Sequence, residues 1–207
     1  MTSEYTVVSS KNNALLSRHK DNSMCYRVQF RICANSGVTI DAKQHITFDT
    51  YQEILRLNDD MLDDIKLEEV PGEPNSRYLM MQIKPIAQGL GINGKYVISK
   101  INLIHPPDKN CAGLVGVSVP LTETKTFTPN PVYEELICEN SSLFAFWDSS
   151  DSSMVVQYDF TLVDPTFQKH GLSVPKAVSD TSALIIKKLF LRMKEYKERQ
   201  INSASRE

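Results

Sequence analysis

Hydrophobic and polar residues alternate most cleanly over residues 24–33. Met24, Tyr26, Val28, Phe30 and Ile32 fall on one face, and Arg27, Gln29 and Arg31 on the other. A period of two marks a strand with one side against a core. The pattern returns at 77–86, where Leu79, Met81 and Ile83 lie opposite Tyr78, Met80, Gln82 and Lys84. Residues 38–48, 65–70, 95–104, 114–121, 133–139, 142–147 and 153–163 also read as strands. Turn-rich residues at 35–37, 71–75 and 149–153 separate them. Short connections between consecutive strands predict antiparallel pairing.

The period lengthens to that of a helix in two places. Asp49 or Thr50 caps a helix carrying Tyr51, Ile54, Leu55 and Leu57, with Glu53 at capping-box spacing from Thr50. Met61 and Leu62 extend its apolar face. A second, long helix opens at Pro175, with Ser173 as its cap, and runs to about Gln200. Ala177, Val178, Thr181, Leu184, Ile185, Leu189 and Met193 form its stripe, widened by Ile186, Phe190 and Leu191. The residues from Ala177 to Ala183 are small and leave space that a core helix normally fills. From Lys187 onward cations crowd the far half, which reads as a solvated tail. Residues 1–23 are polar, with a short helix expected around 14–16, and residues 201–207 form a flexible tail. The expected architecture is α+β, a single domain at 24–200 in which a curved antiparallel sheet grips the long C-terminal helix.

Composition narrows the function classes. A chain of 207 residues with 41% hydrophobic and 23% charged residues buries a substantial core. A net charge of -2 gives no argument for nucleic acid. Cys25, Cys33, Cys111 and Cys138 show no zinc-type spacing, and the N-terminus lacks a signal-peptide or myristoylation pattern. Reduced thiols, a cytoplasmic location, no metal and no cofactor are therefore expected. Asp59, Asp60, Asp63 and Asp64 lack the glycine and terminal glutamate of a calcium loop and read as a solvated acidic face. The G-x-G within residues 88–94 is followed by a strand, not a helix, so it is not a dinucleotide site. His19, His45, His105 and His170 are scattered, with no visible catalytic set.

Three stretches resemble the START lipid-transfer domains, named for their relation to the steroidogenic acute regulatory protein, within the wider helix-grip (Bet v 1-like) fold. The first is the ending: a strand, Asp164-Pro165, then Gly171 and Pro175 opening the last helix. The second is the early helix with Glu53, Ile54, Leu55, Leu57 and Asp59. The third is the strand that opens with Gly94-Lys95 where the family has Arg-Asp. The likeness spans roughly residues 25–198. The family's Trp-Asp after the early helix is absent, and four extra residues at 167–170 separate Asp-Pro from the glycine.

The resemblance implies a non-catalytic lipid-binding or lipid-transfer protein. It would hold one lipid, a phospholipid or a sterol, in an apolar tunnel between sheet and helix. Transient membrane contact, a monomer and no nucleic acid go with that reading. It implies a gate loop at 105–112, carrying Pro106, Pro107, Asp108 and Lys109. Lys100 matches the family's buried cation and Gln82 falls near its acidic partner, so the ion pair is not reproduced. Lys100 therefore either meets a ligand phosphate or hydroxyl or points to solvent, and the missing carboxylate favours solvent. The expected lipid-facing set is Lys100, Gln82, Ile98, Ala177, Val178, Thr181, Leu184 and Ile185. The alternative function is a structural or interaction protein, such as a scaffold or viral protein, that binds a partner with its curved sheet and charged surfaces.

Overall fold

A computed structural model of the chain describes residues 4–33, 39–85, 93–107, 109–124, 126–163, 165, 169–170 and 176–204. The turn expected at 35–37, most of the loop at 88–94, Asp164, the 171–175 passage, Asp108 and the side chain of Ala177 lie outside the described residues. Among the described residues ten strands form one sheet. They are β1 (Tyr5–Ser9), β2 (Ala14–His19), β3 (Cys25–Cys33), β4 (Leu62–Val70), β5 (Glu73–Ile83), β6 (Lys95–Ile104), β7 (Cys111–Ser118), β8 (Glu134–Glu135), β9 (Ile137–Asp148) and β10 (Ser153–Val163). Three helices accompany them: α1 (Ala42–His45), α2 (Phe48–Arg56) and α3 (Lys176–Ala204).

The strand order is β1-β2-β3-β10-β9-β7-β6-β5-β4, antiparallel throughout, with short β8 parallel to β6. Strands β4 to β10 are joined by hairpins and longer loops, and β10 then returns to pair with β3. The α+β helix-grip arrangement expected from the pattern is the arrangement found. Two local expectations fail. Residues 14–16 are strand rather than helix, because Asn12 and Asn13 both adopt positive φ and turn β1 into β2 as a tight hairpin. The sheet therefore extends on the N-terminal side of residue 24. Residues 38–48 do not form a strand. Asp41 caps α1 by accepting from Lys43 N at 3.0 Å, and Thr47, not Asp49 or Thr50, caps α2 by accepting from Thr50 N at 3.1 Å. Helix α2 stops at Arg56, so Leu62 belongs to β4.

The core lies on the concave side of the sheet. Tyr26, Val28, Phe30 and Ile32 of β3 meet Met154, Val156, Phe160 and Leu162 of β10, Leu143 and Ala145 of β9, and Ala183, Phe190 and Met193 of α3. Each large side chain removed from water contributes roughly 1.5–3 kcal/mol. A second cluster joins Leu55 of α2, Met61, Leu62 and Leu79 to Leu189 of α3. A third lies on the outer face, where Met80 and Ile98 are covered by Phe127 from the loop after β7.

Helix α3, about 44 Å long at 1.5 Å per residue, is pinned along its length. Near its start Asp180 accepts from Arg18 Nη1 at 3.0 Å and from the Tyr26 hydroxyl at 2.9 Å. Further on, Arg192 reaches across to Asp60 at 2.7 Å and to the Leu57 carbonyl at 3.2 Å, and Tyr196 donates to Glu53 at 3.1 Å. The acidic cluster after α2 is thus the far clamp of α3 rather than a plain solvated face. Arg192 holds the Asp60 carboxyl down to about 2, below its ordinary 3.8. A carboxylate depressed in the folded state stabilises the fold above its unfolded pKa, and that contribution is lost as the pH falls through the folded value. Asp60→Asn is therefore expected to flatten the loss of stability between about pH 4 and pH 2, read from urea midpoints across that window.

Candidate functional site

Cross-strand pairing lines the concave side chains up in rows. One row runs Leu16, Val28, Tyr158, Leu143, Leu114 and Leu103. Tyr158 is the one member with a polar tip. The next row runs Tyr26, Phe160, Ser141, Gly116 and Ile101, and narrows at its centre. A Cβ on Gly116 would collide with Ser141 Oγ and crowd Ile101. Ala145 and Ala112, paired in a third row, are also small and fully buried.

A β-bulge re-aims β9 here. Phe160 pairs with Ser141, but Leu162 pairs with Cys138, so one extra residue is accommodated on β9. Glu139 and Asn140 turn outward and are exposed, while Cys138 and Ser141 both face the concave side. Ser118 bridges the interrupted ladder: its hydroxyl accepts from Cys138 N at 2.8 Å and donates to the Cys138 carbonyl at 3.0 Å.

The two long-range helices sit over opposite parts of the sheet. Helix α3 packs on β2 and β3, α2 packs on β4, and the helices meet each other. Between them the middle strands are reached by side chains. Phe190 of α3 lies 4.5 Å, ring to ring, from Tyr158. Burial pushes the hydroxyls of Tyr158 and of Tyr51 on α2 well above the usual phenol range, and the Cys138 thiol beside both adds to this. The Ser141 hydroxyl, a hydrogen-bonding neighbour of Tyr158, pulls the other way. Burial raises the Cys138 thiol to about 11. Both residues are nonetheless only half-buried. Tyr26 shows the contrast: it is wholly buried, and its hydroxyl is bound at 2.9 Å to Ser179 Oγ and Asp180.

Three cations at the rim of the concave side are paired with carboxylates: Arg18 with Asp180, Arg77 with Glu69, and Lys95 with Glu134. An open cleft of about 620 Å³ lies elsewhere, at the β2–β3 edge, lined by residues that include Ala14, Gln29, Phe30, Arg31, Lys194 and Glu198. Among the described residues no His, Cys, Asp and Glu cluster is suited to a metal ion, and no helix is long and apolar enough to cross a membrane.

No protein-family model matches the sequence, and no curated protein matches it. Solved structures do. Human STARD10 superposes with a TM-score of 0.67 at 12% identity, over 93% of this chain and 72% of its own. The human StarD13 (DLC2) lipid transfer and protein localization domain gives 0.65 at 10% identity, over 92% and 87%. Human StAR-related lipid transfer protein 5 gives 0.65 at 11% identity, over 98% and 89%. The chain has the START fold. At these identities the likeness is one of fold.

Within the START fold the expected site residues divide. Val178 and Ile185 are half-buried, Ile185 against the α2 cluster. Thr181 is exposed and Leu184 is 43% exposed, because the buried seam of α3 is turned from the expected stripe and runs through Ser179, Ala183, Phe190, Met193 and Ile201. Lys100, Gln82 and Ile98 lie on the outer face of the sheet, away from α3. Lys100 pairs with Glu73 at 2.7 Å, Gln82 accepts from Asn130 N at 2.8 Å, and Ile98 packs in the Phe127 cluster. The physical reason is register. Val97, Ser99, Ile101 and Leu103 of β6 pair with concave residues, so the even positions point outward. At the expected gate, Pro107 and Lys109 are exposed and Pro106 is half-buried. The root of that loop is tied down by Asn110, which accepts from Ala42 N at 2.7 Å and donates to the Ile40 carbonyl at 2.8 Å. The expected site residues do not include Tyr158, Cys138 and Ser141, which the structure groups on the concave face. The trace of that grouping in the sequence is the break in alternation between 133–139 and 142–147, which is the bulge.

Two lysines of the expected solvated tail are buried, each only 3% exposed. Lys187 is held by the β1–β2 hairpin, donating to Ser9 Oγ at 3.1 Å and to the Lys11 carbonyl at 3.0 Å. Lys197 donates to Gln200 Oε1 at 3.0 Å and stands near His45. Burial lowers the Lys197 pKa, with Glu53 opposing, and burial followed by the Lys197 charge lowers that of His45. For a lysine depressed in the folded state, the unfolded chain binds more protons between the two pKa values, so stability rises with pH up to the unfolded value near 10.5. Lys197→Met is expected to be more stable than the parent at neutral pH. The gap should close as pH rises toward 10.5, as measured by chemical denaturation.

Proposed function

We propose that this protein is a non-catalytic lipid carrier or sensor that holds one lipid between α3 and the middle strands of the sheet. The observation that carries this reading is the placement of α3 over β2 and β3 and of α2 over β4. Among the described residues the strands between them are covered by short α1, which packs on β7 and β9, and by side chains, and there Tyr51 and Tyr158 are only half-buried beside an apolar core. Both walls carry small, fully buried residues, Ala112 and Ala145 on the sheet and Ala183 on the helix. The START fold supports it independently. Burial of an acyl chain or sterol ring there would be driven by about 25 cal/mol per Å² of apolar surface.

In this reading Val178 and Ile185 border the ligand, and the lipid-facing positions of β6 are its odd residues rather than Ile98 and Lys100. The 105–112 loop opens to exchange lipid during transient contact with a membrane, pivoting on the tether at Asn110. The protein acts as a cytoplasmic monomer. A second reading has its own support on the outer face. Ile104, Val117 and Phe146 are each about two-fifths exposed there, which suits an interaction protein.

Native mass spectrometry after incubation with mixed-lipid vesicles separates the two. The expected result is one lipid mass added per chain. Ligand-free protein in every lipid mixture would sink the carrier reading and leave the interaction reading.

A further inference from the structure

We propose that the cleft at the β2–β3 edge is a docking site for an extended peptide, which adds as a short strand beside Arg31, Ile32 and Cys33 and places an acidic side chain against Arg31. Strand β2 pairs with β3 only as far as Ala14 opposite Phe30, whereas β10 follows β3 on its other side to Cys33. The Asn12–Asn13 turn that joins β1 to β2 ends the hairpin at that point. Among the described residues, the last three residues of β3 therefore have a strand partner on one side only. The gap in line with β2 coincides with the open cleft of about 620 Å³, bounded by Ser10 and Asn13 of the hairpin and by Lys194 and Glu198 of α3. That volume is in the range of ligand sites. A one-sided strand offers backbone donors and acceptors at the spacing of another strand, and an extended peptide is the ligand that matches them.

The two outer edges of the sheet are poorer templates. Strand β4 carries Asp63, Asp64, Lys66, Glu68 and Glu69, and β1 is five residues long with a register shift between Val7 and Ser9. Charges and bulges are the usual means by which an edge refuses a further strand. Register fixes what each position of the added strand meets. On the continued line of β2, the position opposite Ile32 shares the concave face with Ala14 and Phe30, both buried, and takes an apolar side chain. The positions opposite Arg31 and Cys33 fall on the outer face, where both residues are exposed. Arg31 binds Asp148, Asp151 and Ser153 through Nη1 alone. Those partners come from the β9–β10 end, on the far side of β3 from the cleft. The Nε and Nη2 of Arg31 have no partner among the described residues, so part of its donor fork remains for a carboxylate. The other charges lining the cleft, Lys194 and Glu198, pair with each other at 2.8 Å. The uncommitted group is thus cationic, and an acidic side chain next to an apolar one is its complement.

The test uses the full chain and a phage-displayed library of random heptapeptides, whose several copies per particle retain weak binders. The expected result is enrichment of sequences with an acidic residue beside an apolar one. A synthetic copy of an enriched peptide should slow amide hydrogen exchange at residues 31–33 and leave β1 and β4 unchanged. Arg31→Gln should bind that peptide roughly fivefold more weakly, the loss of one charge-assisted hydrogen bond at an exposed position. Replacing the acidic residue of the peptide by its amide should weaken binding to the parent by the same factor, which tests the contact without touching the fold. No enrichment over phage without a displayed peptide overturns the proposal, as does a peptide that protects β1 or β4 instead of residues 31–33. Binding unchanged by both the variant and the amide peptide overturns it too. Protection of residues 31–33 that rises with the concentration of the free protein makes the edge an interface between copies, with the same consequence. None of these outcomes bears on the lipid, which the vesicle experiment decides separately.

Discussion

One helix cannot cover this sheet. Nine strands spaced about 4.8 Å apart make a path roughly 40 Å wide, while a helix with its side chains is only about 10–12 Å across. An apolar sheet face must nonetheless be covered. The chain meets that constraint by curling the sheet and dividing the cover. Helix α3 takes β2 and β3, and α2 takes β4. What remains between is a span of β10, β9, β7 and β6 that, among the described residues, short α1 covers at β7 and β9 and side chains cover elsewhere. Polar contacts along α3, Arg18 and Tyr26 to Asp180 and Arg192 to Asp60, hold it in place together with its apolar packing. Close packing sets the spacing between helix and sheet, and the hydrogen-bonded ion pairs add direction to it.

Strand alternation made most of this legible in the sequence. Strands β3, β5, β6 and β10 were placed within a few residues because each buries one face and the period of two survives. The N-terminal hairpin was not recognised because β1 and β2 are short and lie at the sheet edge, where polar residues such as Ser9 and Arg18 break the alternation. Its turn was carried only by Asn12 and Asn13. Residues 38–48 failed for another reason. The buried Ile40, Ala42 and Ile46 mimic a strand face, but Asp41 and Thr47 are helix caps, and the capping chemistry prevailed over the pattern.

The site was less legible than the fold. Strand β6 is apolar on both faces, since a loop bearing Phe127 buries its outer side, so periodicity could not say which face met α3. That ambiguity puts Ile98 among the expected lipid-facing residues, whereas Lys100 points outward to Glu73, in keeping with the solvent-facing alternative. On α3 the stripe was misjudged because Lys187 and Lys197 lie on the buried seam and read as solvent-facing. Long lysine stems cover apolar surface while their ammonium groups find carbonyls and amides. A bulge is harder still to see: one inserted residue reverses the facing of everything beyond it, and the alternation then reads as two strands instead of one.

The interior that results is apolar, narrow at Gly116, and dotted with neutral donors. In the carrier reading, its discrimination would come from penalties more than from attraction. An apolar wall binds many hydrocarbon chains about equally well, and one methylene more or less changes little. A buried hydroxyl without a partner works differently, because every ligand that fails to satisfy it leaves that cost in the complex. The paired charges at the rim add a second filter. A charged head group is better accommodated there, in water beside Arg18 or Lys95, than among Tyr51, Tyr158 and Ser141. In the carrier reading, the paired charges at the rim would meet the polar end of a ligand and the apolar interior its hydrocarbon.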